Sequence, residues 1–391
     1  MPNTDRIAAL KEEITAWRRD FHSNPELLYD VHRTAGIVAE KLTSFGCDEV
    51  VTGIGRTGVV GVIRGRSTGS GKVIALRADM DALPIEEETN LPYRSKVPGK
   101  MHACGHDGHT AMLLGAARYL AETRDFDGTV VLLFQPAEEG GGGAKAMIDD
   151  GVMDRFGVQE VYGMHNMPGL PVGSFALRPG PVMAAADRFR IHVEGRGGHA
   201  AKPNETIDTL LVATHIVTAL QSIVSRNADP LESAVVSVTS FKAGEAFNVI
   251  PQTAELLGTV RTLTPELRDL CETRLKEIAT TVARAFGATA TIEYERGYPV
   301  TRNHEAQTEF AASIAAKLAA GASGTVDLNV PPTMGAEDFS FMLEARPGAF
   351  IFMGNGDSAG LHHPAYDFND DAIPVGVGYW ATLVETAMPA R

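Results

Sequence analysis

Between Ile7 and Phe21 apolar residues recur every three or four positions, at Ile7, Leu10, Ile14, Trp17 and Phe21. This is the stripe of an amphipathic helix starting near Asp5. A second helical stretch spans about 34–45, with Gly46 placed to cap it. Strands are predicted at Val59–Ile63 and Val73–Leu76, and the Gly and Ser residues between them suit a hairpin. A helix over 109–122 and an apolar strand over 129–134 follow, so the alternation predicts an α/β domain with a largely buried sheet.

The rhythm changes in the middle of the chain. Strand 188–194, helix 207–225, strands 234–241 and 253–262, helix 265–285 and strand 289–295 read as β-α-β-β-α-β, the split pattern of a ferredoxin-like unit. Helix 305–320 and the apolar run Ala349–Met353 then read as a return to the first sheet. The expected organisation is a discontinuous larger domain, 1–186 plus 301–391, carrying an inserted domain at 187–300. The chain shows no internal repeat, and Gly140–Gly143 is its one low-complexity run.

Composition narrows the function. The 391 residues are 44% hydrophobic and 21% charged, as in ordinary globular proteins. With 35 basic against 49 acidic side chains the net charge is −14, which argues against nucleic acid or an anionic membrane as partner. Three widely spaced cysteines, Cys47, Cys104 and Cys271, do not suggest a disulfide scaffold. The first residues lack a basic-then-apolar leader, and no run reaches the ~18 apolar residues of a membrane helix, so the expected compartment is the reducing cytoplasm.

Seven of the twelve histidines lie in short polar stretches. Met101-His-Ala-Cys-Gly-His-Asp-Gly-His109 holds three histidines, an aspartate and a cysteine, a density that rarely fills a core. If extended, it would point Cys104 and His106 to one side, within reach of one ion. Glu138 and Glu139 follow the strand ending at Phe134, where ligands gather in α/β sheets. Metal hydrolases use such a pair, one carboxylate to coordinate and its neighbour as general base. His165 and the pair His362-His363 complete a donor set suited to two borderline ions such as zinc, manganese, cobalt or nickel. Alone, His165 reads more readily as a core or supporting histidine than as a ligand, and His362-His363 reads as a surface turn as readily as a site. Two other motifs fit less well. Gly53-Ile-Gly55-Arg-Thr-Gly58 matches a dinucleotide fingerprint but precedes a strand where a helix is required. Cys104 with His106 as a nucleophile and base would leave the carboxylates without a role.

Eight co-linear motifs carry a family resemblance. They are Arg77–Pro84, Met101–His109, Phe134–Gly140, Gly163–Asn166, Gly195–His199, Gly258–Arg261, Met334–Phe339 and Leu361–Pro364. Together they resemble the M20 metallopeptidase family, most of all its amidohydrolase branch of hippurate, N-acyl-amino-acid and auxin-conjugate hydrolases. The resemblance implies an α/β metallopeptidase-type catalytic domain with a ferredoxin-like lid and dimerisation domain inserted into it. It implies Cys104, His106, Glu139, His165 and His362 as ligands of two divalent ions, and Glu138 as general base. By the same resemblance His199 would donate to the oxyanion, within or across subunits, while Asn248 and Arg261 would contact the substrate, Arg261 through its carboxylate.

Where peptidase relatives carry His-x-Asp this chain has Asp79-Met-Asp81, which favours the amidohydrolase branch and makes Asp81 an orienting residue rather than a ligand. The implied activity is cleavage of the amide bond of an N-acyl amino acid by a homodimer or larger homo-oligomer. The alternatives are a dipeptidase or exopeptidase with the same metal centre, and a non-catalytic binding protein of the same fold. The parts played by Asp79, His109 and His363 are left open.

Overall fold

The computed structural model describes residues 2–390. In α1 (Thr4–Ser23) the predicted stripe is buried, and the Asn3 side chain caps the helix by accepting from the Arg6 N–H. After α2 (His32–Ser44) come β1 (Glu49–Ile54) and β2 (Gly58–Arg64), an antiparallel hairpin turning through Gly55 and Arg56. The hairpin expected between β2 and β3 (Val73–Asp79) does not form. Instead β4 (Thr129–Gln135) lies between them, antiparallel to β2 and parallel to β3. Turn chemistry at 65–72 suits either arrangement, and the apolar β4 decides, because a sheet interior flanked on both edges is where such a strand is buried on both faces.

The parallel crossover from β3 to β4 is α3 (His106–Thr123). Two short helices, α4 (Gly143–Asp149) and α5 (Val152–Arg155), lead to β5 (Glu160–Pro168) and β6 (Phe175–Ala176). A short β7 (Gly180–Met183) then precedes the second unit.

That unit contains β8 (Ala185–Glu194), β9 (Gly198–His199), α6 (Thr209–Leu220), β10 (Ala234–Ala243), β11 (Val249–Ile250), β12 (Thr253–Thr262), α7 (Pro265–Ala285) and β13 (Thr289–Arg296). Its main sheet is antiparallel in the order β10-β12-β8-β13, the split β-α-β-β-α-β arrangement that the sequence pattern predicts. Alternate residues of β8 are buried among side chains of α6 and α7, including Val212, Ile216, Leu275 and Cys271. By mean hydropathy and length alone Thr209–Asn227 is apolar enough to cross a membrane, although it holds no unbroken run of ~18 apolar residues. In the fold its inner residues Val212, Ala213, Ile216 and Leu220 belong to this unit's core.

The chain returns through β14 (Thr301–Asn303), α8 (Glu305–Ala322), β15 (Val326–Asp327), α9 (Phe339–Ala345), β16 (Gly348–Gly356) and α10 (Ile373–Ala387). The large sheet has the order β1-β2-β4-β3-β5-β16-β6-β15. Its middle strands β4, β3, β5 and β16 run parallel, so their carboxyl ends lie together. Two compact units result. The first runs up to Val182, resumes over Arg302–Pro331 and continues from Asp338; the second comprises Met183–Thr301 and Pro332–Glu337. That last segment joins the second unit because Thr333 bridges Met183 and its carbonyl accepts from Ala184 N–H.

Candidate metal centre

The carboxyl ends of the parallel strands, where α/β sheets gather ligands, hold the predicted residues of the first unit. His106 opens α3, and Gly105 before it takes a left-handed φ of 87°. A Cβ there would sit 2.2 Å from Asn166 Nδ2, so both backbone and space demand glycine. This turn, rather than an extended loop, aims Cys104 and His106 at one point. Their ligating atoms and that of His165 lie within 4.8 Å of one another, with Cys104 Sγ 3.4 Å from His165 Nε2.

Each buried imidazole is held by its other nitrogen. His106 Nδ1 donates to the Asp81 carbonyl at 2.8 Å and His165 Nδ1 to the Asn166 carbonyl at 2.7 Å, which turns both Nε2 atoms toward the centre. His106 Nε2 is buried and makes no hydrogen bond.

Beyond β4 the chain turns sharply. Ala137 has a φ of 55°, and a Cβ on Gly143 would lie 1.6 Å from the Pro136 carbonyl oxygen. The glycine run is thus the means of bending the backbone under Glu138 and Glu139. Asp81 fixes the bend: its two carboxylate oxygens accept the N–H of Glu138 at 2.9 Å and of Glu139 at 3.1 Å.

Glu139 groups with Cys104 and His362, and again with His106 and Glu138, so the donors form overlapping trios. His362 Nε2 stands 3.2 Å from Glu139 Oε1, on a loop residue with a φ of 63°. Hydrogen bonds to Cys104 and Glu139 push His362 up to about 10, whereas burial raises the Cys104 thiol and drives His165 well below the ordinary imidazole range. A buried thiol, a neutral imidazole and an orphaned Nε2 around shared carboxylates form a donor set that fits divalent cations, which would convert the thiol to thiolate.

The residues left open by sequence find places here. His109 donates from Nδ1 to Asp79 at 2.7 Å and accepts the Asn166 N–H on Nε2 at 3.0 Å, so neither nitrogen is available to an ion. Asp79 also takes Arg77 Nη1 at 2.7 Å, and Arg77 reaches Asp338 at 3.1 Å. Tyr366 donates to Asn166 Oδ1 at 2.7 Å. Sequence reasoning missed Arg77, Asn166, Asp338 and Tyr366 as supports, although the first three lie inside the quoted motifs. His363 is exposed and accepts from Ala365 N–H, a local turn contact.

In the second unit His199 pairs with Val249, and the Asn248 carbonyl accepts from Ala200 N–H at 3.0 Å, so His199 and Asn248 are neighbours. Arg261 lies on β12 opposite Val235 and Ala186, half-buried, with burial lowering its pKa.

A family model described as peptidase family M20/M25/M40 matches residues 75–386. The chain is 45% identical to the hippurate hydrolase of Campylobacter jejuni over 96% of its own length and 97% of the relative's. It is 41% identical to an N-acetylcysteine deacetylase of Bacillus subtilis, covering 94% of each. Among solved structures, a dinuclear metal-binding peptidase of the M20 family from Bacillus subtilis matches with a TM-score of 0.85 at 38% identity, over 98% of this chain and 100% of that one.

Proposed function

Because the chain belongs to peptidase family M20/M25/M40, we propose that it is a metal-dependent amidohydrolase cleaving N-acyl amino acids, of hippurate or N-acetyl type, into a carboxylic acid and a free amino acid. The observation that carries this reading is the set of overlapping trios that links Cys104, His106, His165, Glu139 and His362 through shared residues, with Glu138 grouped beside His106 and Glu139.

These five residues hold two divalent ions in the proposal, and their mixed thiolate, imidazole and carboxylate character suits zinc, manganese, cobalt or nickel. When bound, the ions polarise the acyl carbonyl and make water nucleophilic near neutral pH. Glu138 takes the proton of the attacking water on a carboxylate oxygen and hands it to the leaving nitrogen. His199 donates to the carbonyl oxygen as negative charge develops there, Asn248 contacts the substrate, and Arg261 receives its carboxylate in a two-pronged bond.

The second unit serves as lid and dimerisation module in this reading. Its exposed Phe247, Leu231, Leu210 and Leu211 support that role. Three unpaired cysteines suit a reducing, cytoplasmic setting.

Replacing Glu138 with Gln tests the assignment. Bound metal should be unchanged while kcat falls by about 10²–10⁴-fold. More than about a tenth of wild-type turnover would remove Glu138 from the role, since general bases contribute far more. A panel of benzoyl-glycine, N-acetyl amino acids, an indole-acetyl conjugate and unblocked dipeptides identifies the substrate, and preference for the dipeptides would turn the reading to an exopeptidase.

A further inference from the structure

Arg18 of α1 is a fully buried guanidinium that none of the functional motifs contains. Its Nη2 donates to Asp367 Oδ1 at 2.7 Å and also to the Phe368 carbonyl. Its Nε lies 3.3 Å from Asp107 Oδ2 and 3.4 Å from Asp370 Oδ1. The rings of Tyr93 and Phe368 flank it, at 4.8 and 5.7 Å from the central carbon.

The two ends of this cluster matter for the site. Asp107 is the residue after His106, in the first turn of α3, and its carboxylate is also held by His22 Nδ1 at 2.8 Å. Asp367 closes the loop that carries His362, and Tyr93 Oη donates to the same carboxylate at 3.0 Å. One cation therefore ties a helix bearing a proposed ligand to a separate loop bearing another, 256 positions apart in the chain. Burying a guanidinium is costly unless several partners share it, so such a hub implies a requirement for fixed geometry.

We propose that Arg18 is a positioning residue that sets the His362 loop against the His106 helix, so that binding of the second ion depends on it. The proposal rests on the two-ion reading above. Lysine at this place keeps the charge but loses the planar fork that reaches both carboxylates at once.

The test is zinc titration by calorimetry into chelator-treated wild type, Arg18→Lys and Asp367→Asn, with circular dichroism and melting temperature recorded for each. Wild type should take two ions per subunit. Both variants should keep one at wild-type affinity and bind the other about 10–100-fold more weakly, the loss typical when support of a ligand is removed. A merely structural Arg18 would lower the melting temperature and leave both affinities intact, which overturns the proposal. If Arg18→Lys does not fold, Asp367→Asn decides alone, because Asp367 is part-exposed and its loss leaves Arg18 paired with Asp107; unchanged affinities there also overturn it. A wild type that binds fewer than two ions would instead sink the two-ion reading itself.

Discussion

The two sides of the candidate centre are built differently. Cys104, His106 and His165 are 7%, 0% and 7% exposed, and both histidines are fixed through Nδ1 by backbone carbonyls. His362 stands on a loop in left-handed backbone, its side chain 53% exposed, facing Glu139. One side is preformed by strand ends and a helix start. The other depends on a loop being brought up to it and held there. Preformed ligands lose little freedom when an ion arrives, so the buried side should bind more tightly and the loop side should be where metal is first lost.

Removing one ligand from each side gives the largest expected effect. His106→Ala should abolish turnover and strip both ions, since His106 shares one trio with Cys104 and His165 and another with Glu139, which faces His362. His362→Ala should also stop turnover but retain one ion per subunit after gel filtration. Loss of a ligand should exceed the about 10–100-fold change that follows loss of a supporting group. Equal metal content in the two variants would erase the distinction between the sides.

Asp81→Asn probes what the two sides share, because Asp81 supports the backbone of both glutamates and its carbonyl holds His106. An amide offers one acceptor oxygen, and its NH₂ would face a backbone N–H. We expect kcat to fall about 10–100-fold with KM and metal content nearly unchanged. Loss of an ion would make Asp81 a ligand rather than a support.

Much of this was readable from sequence where a local pattern decides structure. The α1 stripe, the split β-α-β-β-α-β rhythm and the polar stretches at 101–109 and 134–140 all correspond to observed elements. What local pattern could not supply was long-range pairing. The Gly and Ser turn after β2 resembled a hairpin because nothing nearby announces that β4 will enter between β2 and β3. The apolar helix α10 carries buried residues around most of its surface, so it offers no amphipathic stripe to detect. In the first motif the spacing of Cys104 and His106 mattered, but the backbone achieves it through left-handed Gly105 at a helix start. Arg18 was invisible for a similar reason: within α1 it looks like one more basic residue beside Arg19, and only the fold brings Asp107, Asp367 and Asp370 around it.

The smallest expected effect concerns the histidines behind the buried side. Burial works against charge on His22, but hydrogen bonds to Asp107 and Glu87 outweigh it and hold the imidazolium up to about 9. Burial pushes His102 down to about 3. The signs are opposite. For His22 the folded state binds the proton more tightly than the unfolded chain, so its contribution is complete below pH ~6.5 and is lost as pH rises through about 9. For His102 the unfolded chain binds the proton more tightly, so stability falls as pH drops from ~6.5 toward about 3. The melting temperature of metal-loaded protein should therefore decline on both flanks of pH ~6.5. In His22→Asn the decline between pH ~6.5 and ~9 should be shallower than in wild type, and the acid limb should flatten as well, because His22 helps hold the Asp107 and Glu87 carboxyls below their usual range and its charge helps keep His102 neutral. Parallel alkaline limbs in the two proteins would show that the support behind His106 does not rest on a charged His22.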